Sequence, residues 1–378
     1  MTCAVVGIGR TGYSRRSGRT TKAMAAEACR SALADAGLTP SEVDGMSTYQ
    51  AHDSAHPLEV SRALGMDELA WANSMVGGGN LVADQVATAA AVIEAGLCRA
   101  VLIYRSLNGR SGYRFGTIEA QLQVDGDGQF DAPSGFLVPP QWFAMWARRH
   151  QHVYGTTSED LGQIAITQRS HAVPNPHAVR RDPLTMDEYL GSRWIAEPFR
   201  VLDCTYEVDG AVAILVVGED LARDAAQPPV WLVGSSNSQS GAGWSMWDDP
   251  TRMYSATAGP RLWERTGLQA SDIDVACMYD CFTYTVMATM EDYGFCDKGE
   301  VGAFFGEGRA TYGGDVVVNP HGGLLSEGYI HGLNHHFEAA LQLRGTAGDR
   351  QVPGAELALV TAGAGPFGGA NIYSKEHP

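Results

Sequence analysis

A chain of 378 residues with a formal net charge of −16 is too acidic for general affinity to nucleic acid or an anionic membrane. Its 44% hydrophobic and 19% charged residues are enough for a sizeable globular core, and no apolar run reaches the ~18 residues of a membrane span. The seven cysteines form no CxxC pair and no leader precedes Cys3, so a reduced cytoplasm is the expected compartment.

The run Cys3–Ile8 is apolar and β-rich and opens into a polar turn with Arg15-Arg16. Residues 20–36 repeat apolar side chains at helical spacing and stop at Gly37, a C-terminal cap. A strand is expected over 44–49, a helix from Pro57 to 64, and a strand over 69–76 that runs into Gly77-Gly78-Gly79. Residues 82–96 are almost wholly small and apolar, a helix buried on most sides, and 100–104 reads as a buried strand. This alternation is that of layered α/β folds.

From 107 to about 140 the chain is polar and glycine-rich, which suggests a lid, cap or interface element. Helices over 141–154 and 158–171, a strand over 211–217 and a surface crossing over 218–228 follow. The pattern then restarts with a strand at 229–234, a helix at 257–267, a strand at 273–279 and a helix at 283–295. A glycine-rich segment spans 313–332, a helix 333–343, and strands cover 356–361 and 370–374. The rhythm suggests duplication, with halves at 1–222 and 223–378 and a loop or cap region over about 107–200. Many of the 45 glycines cluster beside strand-like segments, as tight turns and close backbone approach to a ligand require.

Several stretches carry a resemblance in a fixed order. They are WIAEPFRVLDCTYEVDGAVAILVV at 194–217, YDCF at 279–282 with EDYGFCDKGE at 291–300, NPHGGLLSEGYIHG at 319–332, and TAGAG at 361–365. Together they resemble the thiolase superfamily, in its sterol-carrier-protein-type and lipid-transfer-protein branch. The resemblance implies an α/β thiolase fold, two duplicated αβ halves in a five-layer αβαβα arrangement.

The catalytic positions differ from that pattern. In thiolases a cysteine at the start of the buried helix takes the acyl group. Counting back from Gly96, that place falls on Gly79, and no cysteine lies between residues 30 and 97. Tyr329 stands where the activating histidine is expected, Tyr279 where the histidine of HDCF is expected, and Thr361 where the second cysteine is expected. Without a thiolate, acyl transfer through an enzyme thioester has no nucleophile.

What remains suits reversible aldol chemistry, which needs proton carriers and an oxyanion site but no covalent nucleophile. A phenol with a pKa of ~10 needs about 4 kcal/mol of help to act as a base near pH ~7, or a proton transfer concerted with bond breaking. Tyr329 is read as the residue on the substrate hydroxyl and Tyr279 as its partner at the enolate, although the sequence leaves their roles interchangeable. Gly79, Gly363, His331 and Thr361 are the candidates for the substrate and oxyanion site, with a Gly79 N–H aimed at the thioester oxygen.

The subgroup with tyrosines at these two places consists of steroid side-chain aldolases. The resemblance therefore implies a β-hydroxy steroid acyl-CoA substrate and release of a ring ketone with a short acyl-CoA such as propionyl-CoA. It also implies a homodimer, a small OB-fold acyl-CoA-associated partner protein, and no cofactor, CoA being part of the substrate. Arg15-Arg16 and Arg180-Arg181 are candidates for phosphate contacts. His321, His331, His335 and His336 crowd one region, but their spacing fits no compact metal motif, and no metal is expected. Two other classes compete with the lyase: a non-catalytic acyl-CoA- or lipid-binding homologue or scaffold, and an acyltransferase or condensing enzyme. The lost nucleophile favours the scaffold; the paired phenols oppose it.

Overall fold

The computed structural model of the chain describes residues 3–66, 68–112, 114, 126, 128–244 and 246–378. Ten of its strands join in one mixed sheet. Five come from the first part of the chain: β1 (Cys3–Arg10), β2 (Gly45–Gln50), β3 (Trp71–Val76), β4 (Ala100–Asn108) and β7 (Asp209–Gly218). Before β7 come β5 (Trp194–Ala196) and β6 (Phe199–Arg200), a separate two-stranded pair. The second five are β8 (Val230–Gln239), β9 (Val275–Cys277), β10 (Val317–Val318), β11 (Leu357–Ala364) and β12 (Phe367–Ser374).

The strand order is β10-β9-β11-β12-β8-β1-β7-β4-β2-β3. Read inward from its outer edge, each set of five therefore runs third, second, fourth, fifth, first. The sets meet where β1 and β8 pair antiparallel, with Ala4 opposite Trp231 and Val5 opposite Val230.

Side chains alternate across a strand, and here both faces are apolar, which demands cover on both sides. Ala4, Val6, Leu102, Tyr104, Ala213 and Leu215 pack against helices Thr21–Ala36 and Pro57–Leu64. Val5, Val101, Ile103 and Ile214 point the other way and share a core with Val275 and Val360 of the second set. Helices Val82–Glu94 and Leu333–Arg344 fill that central layer. Leu359, Ala370 and Ile372 pack on helices Ser255–Thr266 and Thr283–Tyr293. Three cores, the middle one shared by both strand sets, thus join five layers, helix, first strand set, helix, second strand set and helix, which is the thiolase fold.

Most expected elements lie within a few residues of their observed bounds, and the departures have physical reasons. The last two strands run to Ala364 and from Phe367, closing as a tight hairpin. Their glycines belong to the strands because neighbours crowd them; a Cβ on Gly368 would meet the Tyr254 ring at 2.6 Å. The strand expected over 273–279 leaves the sheet after Cys277. Helices Met186–Gly191 and Val301–Gly306 and the β5–β6 pair carry too few periodic positions to be read from sequence. Of the lid or cap expected over 107–140, residues 113, 115–125 and 127 lie outside the described residues. Among the described residues no helix is long and apolar enough to cross a membrane.

Candidate active site

Both tyrosines stand on loops of the second strand set. Where β9 ends, the chain turns so that the Tyr279 N–H donates to Thr361 Oγ1 of β11 at 2.8 Å. Next to it the fully buried Asp280 carboxylate accepts from the N–H groups of Leu324 and Leu325, at 2.8 and 3.1 Å. It also lies 3.3 Å from His335 Nε2. Asp280 thereby ties the loop after β10 to the loop after β9. That tie brings Tyr329 to Tyr279, with their hydroxyl oxygens 2.9 Å apart. The Tyr329 N–H donates to the carbonyl of Tyr206 at 3.0 Å, which fixes the other side of the loop.

Gly79 opens the helical turn that leads into helix Val82–Glu94. A Cβ there would stand 2.0 Å from Tyr279 Oη and 2.5 Å from the ring carbons Cε2 and Cζ. The Tyr279 phenol therefore occupies the space that any side chain at 79 needs, and a cysteine at 79 and this tyrosine exclude each other. Gly363, at φ +84°, lets the β11–β12 hairpin approach the same turn: its Cβ would lie 2.9 Å from Asn80 Cα. Here glycine serves contact between backbones.

Gly79, Tyr279, Tyr329 and Gly363 line one cavity of about 470 Å³. Trp142, Phe143, Trp244, Phe282 and Phe367 supply aromatic surface, and Arg110, Arg114, Arg180 and Arg193 supply positive charge. Cys204 and Cys281 also line it. Glu207 is the one carboxylate in the described lining and sits 2.7 Å from Arg114 Nε. Arg180 and Arg15 both pack on the Tyr206 ring, at 4.3 and 5.5 Å from its centre. Arg181 instead bonds the carbonyl of Val173. Thr361 and His331 are not part of the lining. Thr361 is buried under Tyr279, and the His331 ring packs behind Tyr329 with centroids 4.7 Å apart.

Trp244, Phe367, Glu207, Arg110, Arg114, Asp53 and Arg105 are site residues that sequence reasoning misses. For Arg105 a signal existed: it is a charge inside the apolar run AVLIYRSLN, where an unpaired cation would be costly.

A family model described as thiolase C-terminal domain-like matches residues 236–373. A 17-hydroxy-3-oxo-4-pregnene-20-carboxyl-CoA lyase of Mycobacterium tuberculosis is 40% identical over 375 residues, with 96% of each chain covered. A steroid side-chain-cleaving aldolase of Thermomonospora curvata is 40% identical over 378 residues, covering 96% of this chain and 95% of the relative. This chain belongs to the thiolase superfamily, on the branch of these two lyases. The solved structure of an Ltp2-ChsH2(DUF35) aldolase superposes with a TM-score of 0.92 at 37% identity, over 99% of this chain and 97% of that one.

The electrostatics of the two tyrosines are set by their burial and by each other. Burial pushes the Tyr279 phenol well above its ordinary value, and its neighbour Tyr329 pushes it further. Burial and nearby Cys281 push Tyr329 up as well, while the hydrogen bond with Tyr279 and the charge of Arg105 pull the other way. Both phenols are therefore neutral at neutral pH. The donor atoms of Cys277, His321 and His335 lie within 4.8 Å of one another. His335 Nδ1 already faces His321 Nε2 at 3.1 Å, in a buried polar chain that continues to Asp280.

Proposed function

We propose that this protein is a retro-aldolase that cleaves the β-hydroxy acyl-CoA side chain of a steroid into a ring ketone and a short acyl-CoA such as propionyl-CoA. The observation that carries this reading is the 2.9 Å contact between Tyr279 and Tyr329 in a cavity whose nucleophile position is Gly79. With both phenols neutral, the pair works as a relay. The substrate hydroxyl gives its proton to Tyr329 Oη as the Tyr329 proton passes to Tyr279 Oη. The oxygen's electrons form the ketone, the Cα–Cβ bond breaks toward the thioester, and Tyr279 delivers its proton to Cα. One proton moves from oxygen to carbon and both tyrosines are restored. Positioned proton carriers of this kind contribute roughly 10²–10⁴-fold. The backbone at Gly79, at the N-terminal end of a helix, is the site for the enolate oxygen. Gly363 shapes the same wall, while Thr361 and His331 hold the two tyrosines from behind.

The aromatic lining suits fused apolar rings, and four arginines offset the phosphates of CoA in a chain of net charge −16. The chemistry draws on no cofactor or metal, because CoA enters and leaves within substrate and product. Homodimer formation is supported by β3, an edge strand on which Val76 is 80% exposed. The ChsH2(DUF35) chain named with the solved aldolase supports a small OB-fold acyl-CoA-associated partner. Seven free cysteines agree with a reduced cytoplasm. A division at 222/223, inside the short helix Glu219–Arg223 between the strand sets, completes this reading. Incubation of protein and partner with a β-hydroxy steroid acyl-CoA is expected to yield ring ketone and short acyl-CoA in equal amounts by mass spectrometry. Tight thioester binding without any bond cleavage would overturn the lyase and favour a scaffold.

A further inference from the structure

Arg105 lies near the end of β4 with no exposed surface. Its Nη2 is 2.6 Å from Asp53 Oδ2, on the loop after β2. The same Nη2 lies 2.9 Å from Nδ1 of His331, and Nε reaches that nitrogen at 3.3 Å. A guanidinium has donors only, so Nδ1 must offer its lone pair. The imidazole is therefore neutral and carries its hydrogen on Nε2. The Tyr49 hydroxyl donates to the His331 carbonyl at 2.8 Å, and the backbone there is left-handed, at φ +50°. Two side chains of the first strand set, Arg105 and Tyr49, thus hold one residue of the second by its ring and its backbone, and Asp53 holds Arg105. That ring is the one packed on Tyr329.

A buried ion pair is weak support for stability, since desolvation cancels much of its attraction. Its placement behind the tyrosine pair points to another use. We propose that Arg105 is a positioning residue of the active site: it fixes His331 as the neutral Nε2–H tautomer against Tyr329 and keeps a permanent cation behind that phenol. The rate effect rests on the tyrosine-relay reading; the tautomer does not. The groups facing His331 are Asp53, Arg105, Tyr49 and Tyr329. Burial and the Arg105 charge hold the imidazole down at about 3. Burial pushes the Asp53 carboxyl up, but Arg105 more than offsets this and leaves it below its ordinary value. The surroundings of Tyr329 therefore keep one charge state across neutral pH, which a freely titrating histidine would not allow.

The test is ¹⁵N NMR of histidine-labelled protein, with the His331 signal assigned by its loss in His331→Gln. The wild-type ring is expected to stay neutral with Nε2–H from about pH 5 to 8. In Arg105→Met the ring, freed of the guanidinium and left beside Asp53, is expected to titrate at a higher pH than in the wild type and to lose its bias toward Nε2–H. The pH profile of kcat for thioester cleavage should then gain an inflection there, with kcat about tenfold lower and KM little changed. Arg105→Lys, which keeps charge and a donor, should recover part of both the tautomer and the rate. If Arg105→Met alone does not fold, the charge-balanced Asp53→Asn/Arg105→Met variant takes its place. A wild-type His331 that titrates above pH 5 or carries Nδ1–H would overturn the proposal. So would a folded Arg105→Met protein with unchanged tautomer and profile. The NMR readout needs no substrate, so an inactive protein with the expected tautomer would count against the lyase reading alone.

Discussion

The two strand sets share one order but furnish the same places differently. In the first set, the loop after the second strand and the fourth strand carry Asp53 and Arg105, an ion pair at 2.6 Å. In the second set, the matching loop and strand carry Tyr279 and Thr361, joined by an N–H···O bond of 2.8 Å. After the third strand the first set has the Gly77-Gly78-Gly79 turn, and the second has the long segment that holds Tyr329 and His331. One half thus contributes space and fixed charge, while the other contributes the two phenols. Neither is complete alone: the room at Gly79 is filled by Tyr279, and the ring of His331 is held by Arg105. The nucleophile position holds no vacancy, because a side chain of the opposite half fills it.

The strongest way to break this complementarity is to put the cysteine back. Gly79→Cys sets a Cβ against Tyr279 Oη, where the clearance is 2.0 Å, so the ring must move by about an ångström. A displacement of that size costs about a hundredfold in rate. We expect side-chain cleavage to fall by that factor and no acyl transfer to appear in its place. Full cleavage activity in Gly79→Cys would show that the two positions do not compete for space.

Acid tests the buried histidines around the second strand set and gives a smaller effect. His171 bonds Val318 of β10 and is pushed down to about 4, mainly by burial. His336 bonds Tyr373 of β12, and it and His331 are pushed down to about 3, again mainly by burial. Above the unfolded value of ~6.5 both states hold these rings neutral, so they do not alter stability. As pH falls below it, the unfolded chain takes up protons that the folded chain resists, and stability is lost. At pH 5 the loss is about 2 kcal/mol per ring. Asp203, raised by burial to about 6, works the other way and returns about 1 kcal/mol. The urea midpoint is therefore expected to be lower at pH 5 than at pH 7, and an equal or higher midpoint would contradict the burial argument.

Much of the site could be read from the chain because its residues sit in short motifs of fixed order. Gly79, Tyr279, Tyr329 and Gly363 all reach one cavity. Its remaining parts depend on contacts between distant segments. Arg105 and His331 are 226 residues apart, and nothing near either one announces the other. For the same reason the neutral state of His331 is invisible in the string GYIHG; it follows from which donors surround Nδ1. The aromatic lining brings Trp142 from one helix and Trp244 from a loop a hundred residues later, stacked with centroids 5.2 Å apart. Among the elements, long periodic helices were readable. The inner ends of the closing hairpin lie about three residues beyond the expected ones, because Gly368 and Gly369 answer to the neighbours Tyr254 and Asn237 and lie within a strand.

The central claim is that Tyr279 and Tyr329 act as one relay. A double-mutant cycle on the rate of thioester side-chain cleavage, with Tyr279→Phe, Tyr329→Phe and the pair together, tests it most directly. Removing either hydroxyl breaks the same proton path, so each single variant is expected to lose roughly 10²–10⁴-fold. The double variant should then fall within a few-fold of the weaker single one. Losses that multiply, or full activity in either single variant, would show two independent groups and contradict the relay.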